Sequence, residues 1–182
     1  MEEWSNLTSF GPQKFTCSFC GTVVGSDKGY TTKKYSRRIF ICPNCNSPTY
    51  FKGEKQCPAP MLGNSVSDVP QEIESLYNEA RACTGTQAHT AAVLACRKLL
   101  MHIAVKQGAQ EGQSFMEYVE YLAAKGYVPP NGKIWVDHIR KKGNEANHEI
   151  ALMMKEDAVD LITFIEMLLK FIYEFPHKIK SE

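Results

Sequence analysis

Two cysteine pairs constrain this chain more than any other feature. Cys17-Ser-Phe-Cys20-Gly21 and Cys42-Pro-Asn-Cys45-Asn46 stand with 21 residues between Cys20 and Cys42. Each C-x-x-C places two thiolates on one side of a tight turn, and Gly21 and Asn46 are residue types that tolerate a positive φ there. Four thiolates converging from two turns make the closed tetrahedron that structural Zn²⁺ prefers, with no open position for water or substrate. We therefore expect one structural Zn²⁺ per chain, held by Cys17, Cys20, Cys42 and Cys45. The seven cysteines are an odd number, which fits metal binding better than a disulfide framework. Unliganded or redox-active thiols and an Fe–S cluster remain the alternatives. Cys57, Cys83 and Cys96 have no partner at metal-site spacing and read as small buried or linker thiols. A ribbon this short cannot build a self-sufficient core, so the metal must supply most of its folding free energy, on the order of 10 kcal/mol or more.

The charge is unevenly spread. The whole chain carries +1, with 21 Lys and Arg against 20 Asp and Glu, which excludes a histone-like basic coat. Residues 1–60, however, hold eight basic and four acidic side chains, whereas residues 61–182 hold 13 and 16. Two units with different roles are expected. The first carries short β-prone runs, Arg38-Ile39-Phe40-Ile41 and Thr49-Tyr50-Phe51, beside turn residues, and reads as small hairpins. Between its cysteine pairs, Lys33, Lys34, Tyr35, Arg37 and Arg38 form a basic, aromatic run followed by Phe40, Tyr50 and Phe51. Cations for phosphate and planes for base stacking are what a single-stranded nucleic acid requires. A solvated hairpin, or one that docks a protein, is the alternative.

From Asp68 onward the apolar period becomes helical. Asp68 is expected to cap a first helix, with Pro70 in its opening turn and Ile73, Leu76, Tyr77 and Ala80 on one face. A second helix is expected from about Thr86 to Gly108, with a stripe of Val93, Cys96, Leu100, Ile103 and Ala104. Ser114-Phe-Met-Glu117 is a capping box opening a third, which should end at Gly126. A fourth is expected from Asn131 to the Gly143-Asn144 break. The last starts near Lys155 and repeats apolar residues from Ala158 to Ile172 until Pro176 forbids continuation.

The densest polar cluster, Asp137 to Glu149, interrupts the last two helices. Arg140 can pair bidentately with a phosphate, Lys142 adds a point charge, Asn144 can cap the following turn, and His148 titrates near neutrality and can transfer a proton. These four are the candidate catalytic residues, and no metal would be required. A capped helix junction held by the same polar groups is the alternative. No HExxH, P-loop, GxSxG or paired-carboxylate pattern occurs, so ordinary hydrolase and kinase chemistry is excluded.

The order of a CxxC…CxxC ribbon, a Pro-rich linker, an Arg97-bearing A-x-x-x-x-R-K-x-L helix and I-R-x-x-G-N-x-x-x-H resembles a bacterial domain family of unknown function, found alone and in restriction-endonuclease polypeptides. The resemblance covers about residues 10 to 175. The helical part is similar to the HEPN superfamily, all-α domains that commonly dimerise and include metal-independent ribonucleases of phage defence and toxin systems. In that pattern four to six residues separate an Arg from the His; here seven separate Arg140 from His148, and Lys142 has the spacing without the guanidinium fork.

The resulting expectation is a mainly α chain: an N-terminal tail (1–9), a β zinc ribbon (10–56), a linker (57–69), a HEPN-like helical bundle (70–176) and a C-terminal tail (177–182). The resemblance implies a homodimer acting on or near RNA in bacterial or phage-related defence as a metal-independent endoribonuclease. The alternative is a non-catalytic adaptor, or a nucleic-acid-binding module, docking a restriction or defence protein. With no apolar run near the ~20 residues that cross a bilayer, and with acids where a signal peptide needs cations, a cytosolic protein without membrane contact is expected.

Overall fold

The computed structural model describes residues 3–128, Asp137 and residues 152–180, and the chain divides into two compact units, Met1–Met61 and Leu62–Glu182. The first is an antiparallel meander of β1 (Thr8–Thr16), β2 (Val23–Thr31), β3 (Arg37–Ile41), β4 (Pro48–Lys52) and β5 (Lys55–Cys57), hydrogen-bonded in that order. One face buries Phe15, Val24, Phe40 and Phe51 beside Cys17 and Cys42. The Phe51 ring stands edge-on to both Phe15 and Phe40, at centroid distances of 5.4 and 5.6 Å, a favoured aromatic arrangement. The ladder tightens at Gly29, where an added Cβ would lie 1.8 Å from the Ile39 carbonyl oxygen, so only glycine fits. The β1–β2 register shifts between Ser9 and Gln13, across Gly11-Pro12. That bulge lies on an edge strand, where a residue without N–H breaks the fewest bonds.

This sheet overturns the expectation of a mainly α, HEPN-like bundle with a small β appendage. Among the described residues 45% are helical and 20% are in strands, and the strands form a five-stranded unit of their own. The reason lies in β1 and β2. Their sequences, TSFGPQKFT and VVGSDKGYT, carry glycine, proline and lysine, and fully bury only Phe15 in the first and Val24, Ser26 and Gly29 in the second. Strand-to-strand pairing defines them, and no apolar alternation advertises it. Thr8 and Ser9 also pair with β2, so β1 begins within the segment expected as a tail.

The second unit contains α1 (Gln71–Gly85), α2 (His89–Lys106), α3 (Phe115–Ala124), α4 (Lys155–Leu169) and α5 (Phe175–Lys180), the last two joined by a π-helical turn, Lys170–Glu174. α2 packs against α1, α3 and α4 and buries Ala92, Val93, Cys96, Leu99, Leu100, Ile103 and Ala104. It is the axle of this core. The capping box opening α3 is formed: Ser114 accepts from the Glu117 N–H at 3.3 Å, and the Glu117 carboxylate accepts from the Ser114 N–H at 2.6 Å. The expected helix at 131–143 lies outside the described residues apart from Asp137, which is helical.

Three local expectations are corrected. Asp68 does not cap α1: Pro70 occupies that position without a side-chain bond, and Asp68, at φ +61°, instead approaches His177 at 3.5 Å. α2 starts at His89 rather than Thr86, because α1 runs on to Gly85 and Gln87 takes φ +65° to turn the chain. Pro176 does not end the last helix. The Phe175 N–H donates to the Lys170 carbonyl, five residues back, and this wider turn restarts the helix with Pro176 in a first turn, where a missing N–H is tolerated.

The expected linker is also only partly free. Residues 62–69 strap onto the second unit. Val66 is buried, Tyr77 donates to the Asn64 carbonyl at 3.0 Å, and Arg81 donates to the Leu62 and Gly63 carbonyls at 3.0 Å each. Glu166 accepts from the Asn64 N–H and side-chain amide at 2.8 and 3.0 Å, and Glu174 accepts from the Ser67 N–H at 3.3 Å. Side chains of the helices thus satisfy backbone groups that an irregular segment cannot pair for itself.

Candidate metal centre

The turns β1–β2 and β3–β4 are built alike. In one, the Cys17 N–H donates to the Thr22 carbonyl and the Gly21 N–H to the Cys17 carbonyl; in the other, Cys42 donates to Ser47 and Asn46 to Cys42, all at 2.9 Å. Closing each turn requires a left-handed residue, supplied by Gly21 at φ +71° and Asn46 at φ +61°. The two turns bring Cys17 Sγ to 3.6 Å from Cys45 Sγ and Cys20 Sγ to 3.8 Å from Cys42 Sγ, and all four sulfurs lie within 4.8 Å of one another. These distances far exceed the ~2.05 Å of an S–S bond, and the four are free cysteines.

The electrostatics favour a cation at their centre. Burial pushes the Cys17 thiol up to about 12 and raises that of Cys42, although the N–H groups of Cys20 and Phe19 pull Cys17 back and those of Cys45 and Asn44 do the same for Cys42. The Asn44 amide, donating to Cys20 Sγ at 3.5 Å, together with Thr22, brings Cys20 down to about 6. Sulfurs crowded in this way stay ionised together only when a metal ion neutralises them. The group is a metal site in composition, convergence and hydrogen bonding. Asn44 and Thr22, joined at 3.2 Å, are supporting residues that motif reading passed over. The only available signal was the place of Asn44 inside the second C-x-x-C. Trp4 adds a further brace, its indole N–H donating to the Asn46 carbonyl at 2.8 Å.

The basic run falls on the β2–β3 hairpin, and the structure separates its members. Lys33, Lys34, Tyr35 and Arg37 are exposed around the tip, Tyr35 to 63% and at φ +54°. Arg38 is engaged within the unit: it donates to the Gly53 carbonyl at 2.9 Å and to Gln13 at 3.3 Å, and lies over the Phe40 ring at 5.6 Å. Phe40 and Phe51, expected as stacking planes, are core residues at 0% and 3% exposure. Tyr50 is half-buried on the opposite face, in a row with Ile39 and Tyr30. Arg140, Lys142, Asn144 and His148 lie outside the described residues.

A family model matches residues 78–181, more than half of the chain. The chain belongs to the family described as domain of unknown function DUF4145. The match starts within α1 and takes in α2 to α5, so the four-cysteine centre stands ahead of it and the strap at 62–69 also precedes it. No curated protein and no solved structure matches the chain. Among the described residues, no helix is long and apolar enough to cross a membrane.

Proposed function

We propose that this chain is a zinc-stabilised nucleic-acid-binding module acting on or near RNA in bacterial or phage-related defence, with the β2–β3 tip as its contact surface. The observation that carries the reading is the segregation of charge on the hairpin. Lys33, Lys34 and Arg37 are exposed around an exposed Tyr35, while the neighbouring arginine and phenylalanines are taken up by the core. Cations and an aromatic plane on a stiff hairpin suit an unpaired strand, where phosphate charge and base stacking are read together.

Zn²⁺ is the metal this site suits best. A Zn–S bond of about 2.3 Å in a tetrahedron places sulfurs about 3.8 Å apart, against the observed 3.6 and 3.8 Å. With four cysteine ligands the ion's role is structural, holding the turns that aim the hairpin. Homodimerisation belongs to the same reading and is supported by the exposed Phe171 and Phe175 rings, packed edge to face at 5.5 Å, with Ile179 also exposed on α5.

The test is fluorescence-anisotropy titration of a labelled single-stranded RNA at several salt concentrations. Lys33→Ala with Lys34→Ala should weaken binding and reduce the salt dependence by about one counterion for every phosphate that goes unneutralised, and Tyr35→Ala should weaken it by about 1–3 kcal/mol. Arg38→Ala should act mainly on stability. Equal binding by the native protein and the double variant would refute the assignment. A metal-independent ribonuclease reading rests on the resemblance and on Arg140, Lys142, Asn144 and His148; cleavage of RNA in chelator, abolished in His148→Ala, would support it. Binding to a restriction or defence protein in the absence of RNA affinity would favour the adaptor.

A further inference from the structure

The helical unit holds a second chemistry that neither the metal centre nor the hairpin uses. Arg97, on α2, is only 6% exposed, and its guanidinium carbon lies 4.4 Å from the centroid of the Phe115 ring at the start of α3. Its Nη1 is sealed from solvent and donates to no acceptor, and among the described residues no carboxylate pairs with it. A guanidinium cannot shed its charge to relieve burial, so this cation needs an anion from outside the described fold. Burial holds its pKa below the ordinary arginine value.

Arg97 lines a cavity of about 760 Å³ along α2 and the segment entering α3. Gln113 lines the same cavity, and its Oε1 is buried with no donor. One wall is apolar, from Leu94, Met101 and Val105, and Lys98 and Glu111 add one charge of each sign. An orphaned cationic donor and an orphaned neutral acceptor therefore share a space of the size small-molecule sites occupy. Buried polar groups are normally paired, and two left without partners in one cavity describe what the missing ligand carries.

We propose that this cavity binds a small phosphorylated ligand of the mononucleotide class. Its phosphate would take the planar fork of Arg97, an N–H of its base would meet Gln113 Oε1, and the flat base would lie on the apolar wall. This site uses none of the residues assigned to RNA or metal, so either assignment can fail without the other.

Isothermal titration calorimetry on the metal-loaded full chain tests it, with the four ribonucleoside monophosphates, inorganic phosphate and adenosine as probes. The expected result is saturable binding of at least one monophosphate, weaker binding of phosphate and of adenosine, and a loss of about tenfold or more in Arg97→Met. That variant should melt no lower than the native chain, because it removes a buried charge that no described residue balances. Gln113→Leu, the second variant, should weaken the monophosphate and leave inorganic phosphate unchanged. The proposal is overturned if no monophosphate binds, if phosphate alone binds as tightly, or if Arg97→Met melts well below the native chain with ligand affinity intact. That last outcome would make Arg97 a structural plug on Phe115.

Discussion

Replacing Gly63 by alanine tests whether the strap at 62–69 is part of the helical unit or a mere connection to it. Gly63 sits at φ +69°, and a Cβ there would lie 2.7 Å from Ile162 Cγ2, 2.8 Å from the Tyr77 hydroxyl and 3.2 Å from Glu166 Oε2. Left-handed backbone costs an alanine about 1–2 kcal/mol. Forcing a methyl into packed neighbours adds about 1–3 kcal/mol, since Ile162 and Tyr77 are both 1% exposed and have little room to yield. The total expected loss is about 2–5 kcal/mol. Gly126 provides the control within the same unit: it has φ +81° and nothing within 4 Å, so Gly126→Ala carries the backbone cost alone. Urea unfolding followed by far-UV circular dichroism, which reports chiefly on the helices, should show a lower midpoint for Gly63→Ala than for Gly126→Ala. With a urea slope of about 1–3 kcal/mol per molar, the gap between the variants should be about 1 M. Equal losses at the two glycines would refute the reasoning, because the strap would then be free to lift from the helices. The matched family region begins at residue 78, so the same physics predicts that a chain cut there loses stability it cannot recover locally.

Further outcomes follow from the same packing and hydrogen bonds. Cys42→Ser, or a strong chelator, should unfold the first unit and leave the helical circular dichroism largely intact, with elemental analysis tracking loss of bound metal; a native protein without bound metal would refute the site. Arg38→Ala should destabilise that unit by about 1–2 kcal/mol through its bond to the Gly53 carbonyl and its stacking on Phe40, read as a lower thermal midpoint of the first unit. Burial alone would raise the Glu166 carboxyl, but Lys170 and Asn64 outweigh it and hold the group below the usual carboxylate range. A depressed folded-state pKa gives stability that is present above the unfolded value, near 4.5, and is lost as the pH falls through the folded one. Unfolding titrations below about pH 5 should therefore show declining stability in the native chain and a shallower decline in Glu166→Gln.

What the sequence determined by itself is local. The two C-x-x-C turns carry their own geometry, because positive φ at Gly21 and Asn46 and the bonds from each turn to its first cysteine involve residues at most five apart. The Ser114–Glu117 capping box and the apolar faces of α1, α2 and α4 are short-range for the same reason. Pairing over distance was illegible. β1 and β2 lack an apolar alternation, and the fold class expected from the helices alone was wrong because strand pairing supplied what side-chain pattern did not. Tertiary structure also decided the fate of individual polar groups. Arg37 and Arg38 are adjacent and alike in sequence, yet successive strand residues face opposite ways, and only Arg38 meets Gly53, Gln13 and Phe40. Arg97 is one basic residue beside another until α2 turns it inward against Phe115, away from water and from any described carboxylate, while Lys98 remains outside. A helix rotates each successive residue by about 100°, so one-residue neighbours meet different surroundings, and burial against distant segments settles which charge becomes chemistry.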